Sequence, residues 1–90
     1  MSLDSHASFL ERVLEIGLGA HVARFETAGW KSMANLAFWI SFAPGNDEVI
    51  FVNEVVSVGL GAPDHADKNR LRRLFFEAYA MASADLKRRV

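Results

Sequence analysis

The short pattern Gly17-Leu18-Gly19 lies between two stretches of helical periodicity, and Gly59-Leu60-Gly61 repeats it later in the chain. Glycine adopts left-handed backbone angles without a steric penalty, so each pattern favours a tight turn with its leucine pointing inward. Two such turns predict two helical hairpins joined by a connecting helix. The predicted fold is therefore all-α, a compact bundle of five helices with a long C-terminal helix.

Length and composition limit the class of protein. The chain has 90 residues, 51% of them hydrophobic, which predicts one domain over 1–90 with a core from about 5 to 86. It has no cysteine, which excludes disulfides and thiolate metal sites and fits a reducing compartment. The longest strongly apolar run, 49–52, is too short for a membrane span, and no signal peptide is apparent. We expect a soluble, cytoplasmic domain.

The first hairpin is predicted from its caps and its apolar spacing. Polar residues 2–5 predict the start of a helix that stops at Gly17, and a second helix is expected over 20–28 with Gly29 at its end. Trp30 is expected to fold back onto the last turn of that helix. The residues predicted on the buried faces are Phe9, Leu10, Val13, Leu14, Leu18, Val22, Ala23 and Phe25.

A third helix is expected after Ser32, a good N-cap, and before the turn signal 44–46. It is apolar nearly all round, which predicts a central position covered on several sides. Its inward stripe is expected to be Met33, Leu36, Ala37 and Ile40, widened by Phe38, Trp39 and Phe42.

Residues 47–58 are compatible with two structures. They are rich in β-branched residues, and their apolar and polar side chains alternate approximately, as in a strand. The helix is favoured because acidic residues begin the segment, because Val49, Val52 and Val56 share a helical face, and because no second strand exists to pair with. Gly59 is the expected cap of this helix.

The last helix is predicted to start at Pro63 and Asp64 and to reach about Arg89, with its C-terminal turns projecting. Its buried side is expected to contain Leu71, Leu74, Phe75, Ala78, Ala82 and Leu86, with Phe76 and Tyr79 beside them. Residues 1–63 carry seven acidic and three basic side chains, whereas residues 64–90 carry four acidic and seven basic ones. Such a polarised, nearly neutral domain favours complementary contact with another protein.

The glycine turns resemble two related families. Gly17-Leu18-Gly19 followed by Ala23 is similar to the helix-hairpin-helix pattern, which the second turn matches only at its glycines. Over about residues 9–80 the chain also resembles the sterile alpha motif domain, a five-helix bundle that ends in a long helix. The residues that support this second resemblance are Gly17, Leu18, Phe25, Gly29, Trp30, Leu36, Val58, Gly59 and Leu60.

The sterile alpha motif resemblance implies a non-enzymatic protein-interaction module. Such domains dock the start of the last helix on an acidic middle surface of a neighbour, often another copy. Here the implied basic residues are Lys68, Arg70, Arg72 and Arg73, and the implied acidic residues are Asp47, Glu48 and Glu54. The acidic residues that begin the last helix, Asp64 and Asp67, and the basic residues 87–89 at its end suit the helix dipole without a partner. A solvated face is an equally good interpretation of Arg70 and Arg73.

The helix-hairpin-helix resemblance implies the alternative function, DNA binding through backbone amides of the turns. The residues implied are Gly17, Leu18, Gly19, Gly59, Leu60, Gly61, Lys68 and Arg70. Pro63 has no amide hydrogen and Asp64 repels phosphate, which weakens the second turn as a binding site. We expect no metal and no cofactor, because His6, His21 and His65 lie on different elements and no nucleotide-binding motif is present.

Overall fold

The computed structural model describes residues 3–39, 48–61 and 64–89. All regular structure in these ranges is helical, which confirms the predicted all-α class. Five helices form a compact bundle whose radius of gyration, 12.3 Å, is close to the value of about 12 Å expected for a globular domain of this length. The helices are α1 (His6–Ile16), α2 (Val22–Ala28), α3 (Met33–Ala37), α4 (48–59) and α5 (His65–Arg89).

The caps predicted for the first hairpin are present. The hydroxyl of Ser5 accepts a hydrogen bond from the Ser8 amide at 3.1 Å, which starts α1. At the other end Gly17 is left-handed, with φ of 94°, and its amide and that of Leu18 return to carbonyls of the last turn. Leu18 is fully buried, and a short 3-10 turn (Gly19–His21) leads into α2.

The second helix ends in the same way, and Trp30 packs as expected. The Trp30 amide donates to the Phe25 carbonyl at 2.9 Å, and the two rings lie 5.3 Å apart. Only 1% of Trp30 is exposed. An aromatic residue directly after a left-handed glycine closes over the preceding turn, so a local signal was sufficient to predict this core contact.

Helix α3 begins at the predicted N-cap but is less central than expected. The Ser32 hydroxyl accepts from the Asn35 amide at 3.2 Å, and Met33, Leu36 and Ala37 are buried. Phe38 is 61% exposed, so the expectation that it widens the inward stripe is wrong. Trp39 is also exposed, although its ring meets Trp30 edge to face at 5.7 Å. The predictions for Ile40, Phe42 and the turn 44–46 lie outside the described residues.

Residues 48–59 form a helix rather than a strand, as predicted. Its middle, Val52–Val56, is a π-helical segment between an α-helical turn (Glu48–Phe51) and a final turn (Ser57–Gly59). The predicted face is only partly buried, because Val49 is 58% exposed and Val52 is half-buried, whereas Val56 is buried. Phe51 and Val55 are buried beside it. Phe51 packs edge to face on Phe75 of α5 at 5.5 Å. The larger aromatic ring gains more from burial than a valine, so it determines which side of α4 faces inward.

The two glycine turns do not repeat the same conformation. Gly59, expected as a cap, is instead the buried last residue of α4, and Gly61 has the left-handed φ of 76°. A Cβ atom at Gly59 would lie 2.5 Å from Cζ3 of Trp30. The second turn therefore needs its first glycine for close packing and its second glycine for backbone geometry. Leu60 is buried, as predicted.

Helix α5 contains 25 residues, about 37 Å of helix, and nearly equals the longest dimension of the molecule, 39 Å. The predicted stripe is buried from Leu71 to Ala82, but Leu86 is 53% exposed because the bundle ends before it. Leu14 and Ala23 are likewise exposed rather than buried, and Leu10 and Val22 are half-buried. No helix in the described ranges has the length and apolar character that crossing a membrane requires.

Candidate functional site

The basic residues predicted at the start of α5 differ in how far they are available to a partner. Asp64 caps this helix, since its carboxylate accepts from the Asp67 amide at 2.8 Å. Arg70 is exposed, but its guanidinium donates to the Asp67 carboxylate at 2.7 Å. The same side chain lies across the first glycine turn, where a Cβ atom on Gly17 would meet its Nε at 3.3 Å. The guanidinium of Arg70 is therefore already engaged in contacts within the chain.

Arg72 is half-buried and lines the same groove on α5 as Phe76. Its guanidinium donates to the side chain of Asn69 at 2.6 Å and lies 5.9 Å from the centre of the Phe51 ring. A cation above an aromatic face is held there by the ring quadrupole. Lys68, the first of the four basic residues, is half-buried.

Arg73 is the most available of the predicted basic residues. It is exposed and makes no ion pair with a carboxylate in the described part of the chain. It lines a groove of about 550 Å³ on the outer side of α5, where Phe76 and Ala80 provide apolar surface. It also borders a polar groove of about 440 Å³ between α1 and α5, beside Glu15.

The acidic half of the predicted site is described only in part. Asp47 lies outside the described residues, and Glu48 is described only as the first residue of α4. Glu54 is exposed, and its backbone carbonyl, within the π segment, accepts the indole N–H of Trp39 at 2.9 Å. Val49 and Ile50 are exposed one helical turn before it. Helical spacing places these three side chains on the outer face of α4.

An ion-pair network between the first turn and α5 was not found from the sequence. His21 Nε2 and Asp67 Oδ2 are 3.1 Å apart. This hydrogen bond, followed by that from Arg70, lowers the pKa of Asp67 from its ordinary value of 3.8. The network adds a carboxylate to the region where the helix-hairpin-helix alternative requires positive charge.

A second unpredicted pair joins α1 to α5. Arg12 donates two hydrogen bonds to the Glu77 carboxylate, from Nε at 3.2 Å and from Nη2 at 2.7 Å. The pair raises the pKa of Arg12, chiefly through these bonds. The two residues are 65 positions apart, so no local spacing could indicate the contact.

Backbone amides of both glycine turns are used within the fold. Those of Gly17 and Leu18 donate to Leu14 and Val13, and those of Leu60 and Gly61 both donate to Val56. Arginine side chains also cross the turns, Arg70 over Gly17 and Arg24 over Gly61. A phosphate approaching these turns would find four amides already satisfied.

The described ranges contain no cluster of metal ligands. They contain no group of three or more histidine, aspartate or glutamate residues placed to hold an ion. The contact between His21 and Asp67 is a single pair, and the other carboxylate oxygen of Asp67 accepts a hydrogen bond from Arg70.

Comparison of the chain with profiles of known protein families, with curated proteins and with solved structures gave no match.

Proposed function

We propose that this chain is a non-enzymatic, cytoplasmic protein-interaction module that associates with further copies of itself. The outer face of α4 in one copy, formed by Val49, Ile50 and Glu54, would dock in the groove on α5 of the next copy. The observation that carries the proposal is Arg73, an exposed cation beside an apolar groove. Of the residues of the sequence-based hypothesis, Glu54 and Arg73 form the proposed charge pair, and Arg72 lines the same groove as Arg73.

The two surfaces match in both polarity and charge. Ile50 is 47% exposed on α4, and the groove on α5 offers Phe76 and Ala80 to such a side chain. Apolar burial of this kind supplies affinity, whereas the pairing of Glu54 with Arg73 sets orientation and accelerates encounter. Because the two surfaces belong to different helices, the contact is heterologous and leads to open chains or closed rings.

The test uses charge reversal on each surface, followed by light scattering after gel filtration. We expect the parent chain to form assemblies whose mass rises with concentration, and Arg73→Glu and Glu54→Arg each to stop this growth. An equimolar mixture of the two variants should assemble again with the two chains alternating, since both contacts between unlike variants join opposite charges. The double variant should assemble again, because it restores opposite charges.

Lys87→Glu is the matched control, since it makes the same change of charge on an exposed residue of α5 outside the groove. It should leave assembly unchanged. A parent chain that stays monomeric at about 1 mM contradicts the proposal, because even a weak specific contact with a millimolar dissociation constant would be half occupied there. Equal assembly of the parent chain and Arg73→Glu would also contradict it.

DNA binding has less physical support than protein binding. Four amides of the two turns are occupied, and Arg70, which lies over the first turn, is paired with the Asp67 carboxylate. If duplex DNA does bind, its affinity should fall steeply with salt and should fall further in Lys68→Glu.

A further inference from the structure

A third groove lies away from the two proposed contact surfaces on α4 and α5. It runs between α2 and the last turn of α4 and encloses about 560 Å³. Its walls are the short side chains of Ala23, Thr27, Ala28 and Val58, and Arg24 stands at its edge. Short side chains on two neighbouring helices leave a space that a longer aliphatic side chain would fill.

Arg24 gives this groove an uncompensated positive charge. Its guanidinium lies over Gly61 and makes one long hydrogen bond, 3.4 Å, to the Ser57 carbonyl. It forms no ion pair with a carboxylate in the described ranges. A bound segment that presents an aliphatic side chain and a carboxylate would pack against the walls of the groove and pair with Arg24.

The last turns of α1 present that combination. Leu14 is 65% exposed, and its Cδ2 lies 2.8 Å from where a Cβ atom of Gly19 would be, so the side chain rests on the first glycine turn. Glu11 and Glu15 are exposed beside it at helical spacing. Glu15 reaches Arg12 only at 3.9 Å, which leaves its carboxylate available. We call Glu11, Leu14 and Glu15 the α1 ridge.

We propose that a second copy of this chain occupies the groove, with its α1 ridge seated between α2 and α4. Leu14 of each copy would pack against Ala23 and Val58 of the other, and Glu15 would pair with Arg24. The α1 ridge and the groove lie close together on the first hairpin. Leu14 of the ridge rests on Gly19, and Ala23 of the groove follows Gly19 by about one turn. A two-fold axis can therefore join both pairs in one isologous, closed dimer. This contact shares no residue with the proposed contact between α4 and α5.

The experiment measures the monomer–dimer equilibrium by sedimentation in an Arg73→Glu background, which removes the other proposed contact. A dimer that grows no further is expected, and Leu14→Ser should weaken it by at least about tenfold, the loss expected for a buried leucine. Leu86→Ser changes another exposed leucine and should leave the dimer unchanged. Both leucines are exposed in the monomer, so neither change should lower the melting temperature measured at concentrations too low for the dimer to form.

A charge swap tests the pairing itself. Arg24→Glu should weaken the dimer, and adding Glu15→Arg to the same chain should restore it. The proposal is overturned if the Arg73→Glu chain stays monomeric at about 1 mM, where a millimolar contact would be visible. It is also overturned if Leu14→Ser leaves the dimer intact, or if the double variant is no tighter than Arg24→Glu alone.

Discussion

Replacement of Gly59 by alanine tests the closest packing in this fold. A Cβ atom there would lie 2.5 Å from Cζ3 and 2.8 Å from Cη2 of Trp30, and 3.1 Å from Cε1 of Phe25. Both rings are almost completely buried, so neither can move aside without disturbing the core. In a helix without neighbours the same change would stabilise the protein, because alanine loses less backbone entropy than glycine.

The expected magnitude is the difference between these two effects. Overpacking of a well-filled core costs about 1–3 kcal/mol. The gain in helix propensity offsets about 0.5–1 kcal/mol of this. Gly59→Ala should therefore lower the free energy of unfolding by about 1–2 kcal/mol, which corresponds to a fall in melting temperature of about 5–15 °C for a domain of this size.

Urea denaturation followed by circular dichroism, with thermal melts, measures this effect. Trp30→Phe supplies the decisive comparison, since phenylalanine lacks the outer ring atoms that Cβ would meet. The double variant should be more stable than additivity predicts by at least about 0.5 kcal/mol.

Gly29→Ala is the control for backbone strain alone. Its φ is 88°, and no atom outside its two chain neighbours lies within 4 Å of its Cβ position, so it should cost about 1–2 kcal/mol from the left-handed conformation alone. A Gly59→Ala protein as stable as the parent, or more stable, would refute the packing argument.

Two further predictions concern the ion pairs of α5. Asp67→Asn should be less stable than the parent above pH 3.8, the ordinary pKa of the carboxyl, and the difference should vanish as pH falls through the lowered pKa of the folded state. His21→Ala should remove most of this pH dependence, since His21 is the largest cause of the shift; urea titrations between pH 2 and 7 measure both. Glu77→Gln should cost about 1 kcal/mol, because Arg12 then loses a charged partner in a half-buried pair. If 1 M salt leaves the difference in stability between the parent and Glu77→Gln unchanged, the result contradicts an electrostatic origin.

Local signals in the sequence were enough for the helices and their ends. Ser5 and Ser32 cap the helices that their positions indicated, and Trp30 closes over the glycine that precedes it. Each of these features depends on residues within one or two turns of one another. Their energies are therefore readable without the rest of the fold.

Apolar spacing was less successful at assigning the buried faces. The valines of α4 form a regular stripe, yet Phe51 lies inward and Val49 outward. Leu86 continues the stripe of α5 but extends beyond the end of the bundle. Periodicity identifies one apolar side of a helix, but the neighbouring helices determine how wide and how long the covered part is.

The candidate binding surfaces could likewise be predicted only in part from the sequence. The sequence identified the basic start of α5, but it could not distinguish Arg73, which is exposed, from Arg70, which pairs with Asp67 and covers Gly17. It gave no sign of the groove beside Arg24, since that groove forms between helices distant in the chain.

By itself, the sequence determined the all-α class, the two glycine turns and the inward leucines of those turns, because propensity, capping and left-handed glycine geometry act over a few residues. The tertiary structure alone decided that Gly59 is needed for space rather than for its backbone angles. It also decided that an arginine from another helix crosses each turn. Steric contact and ion pairing depend on which distant atoms meet, and only the packing of the five helices specifies those neighbours.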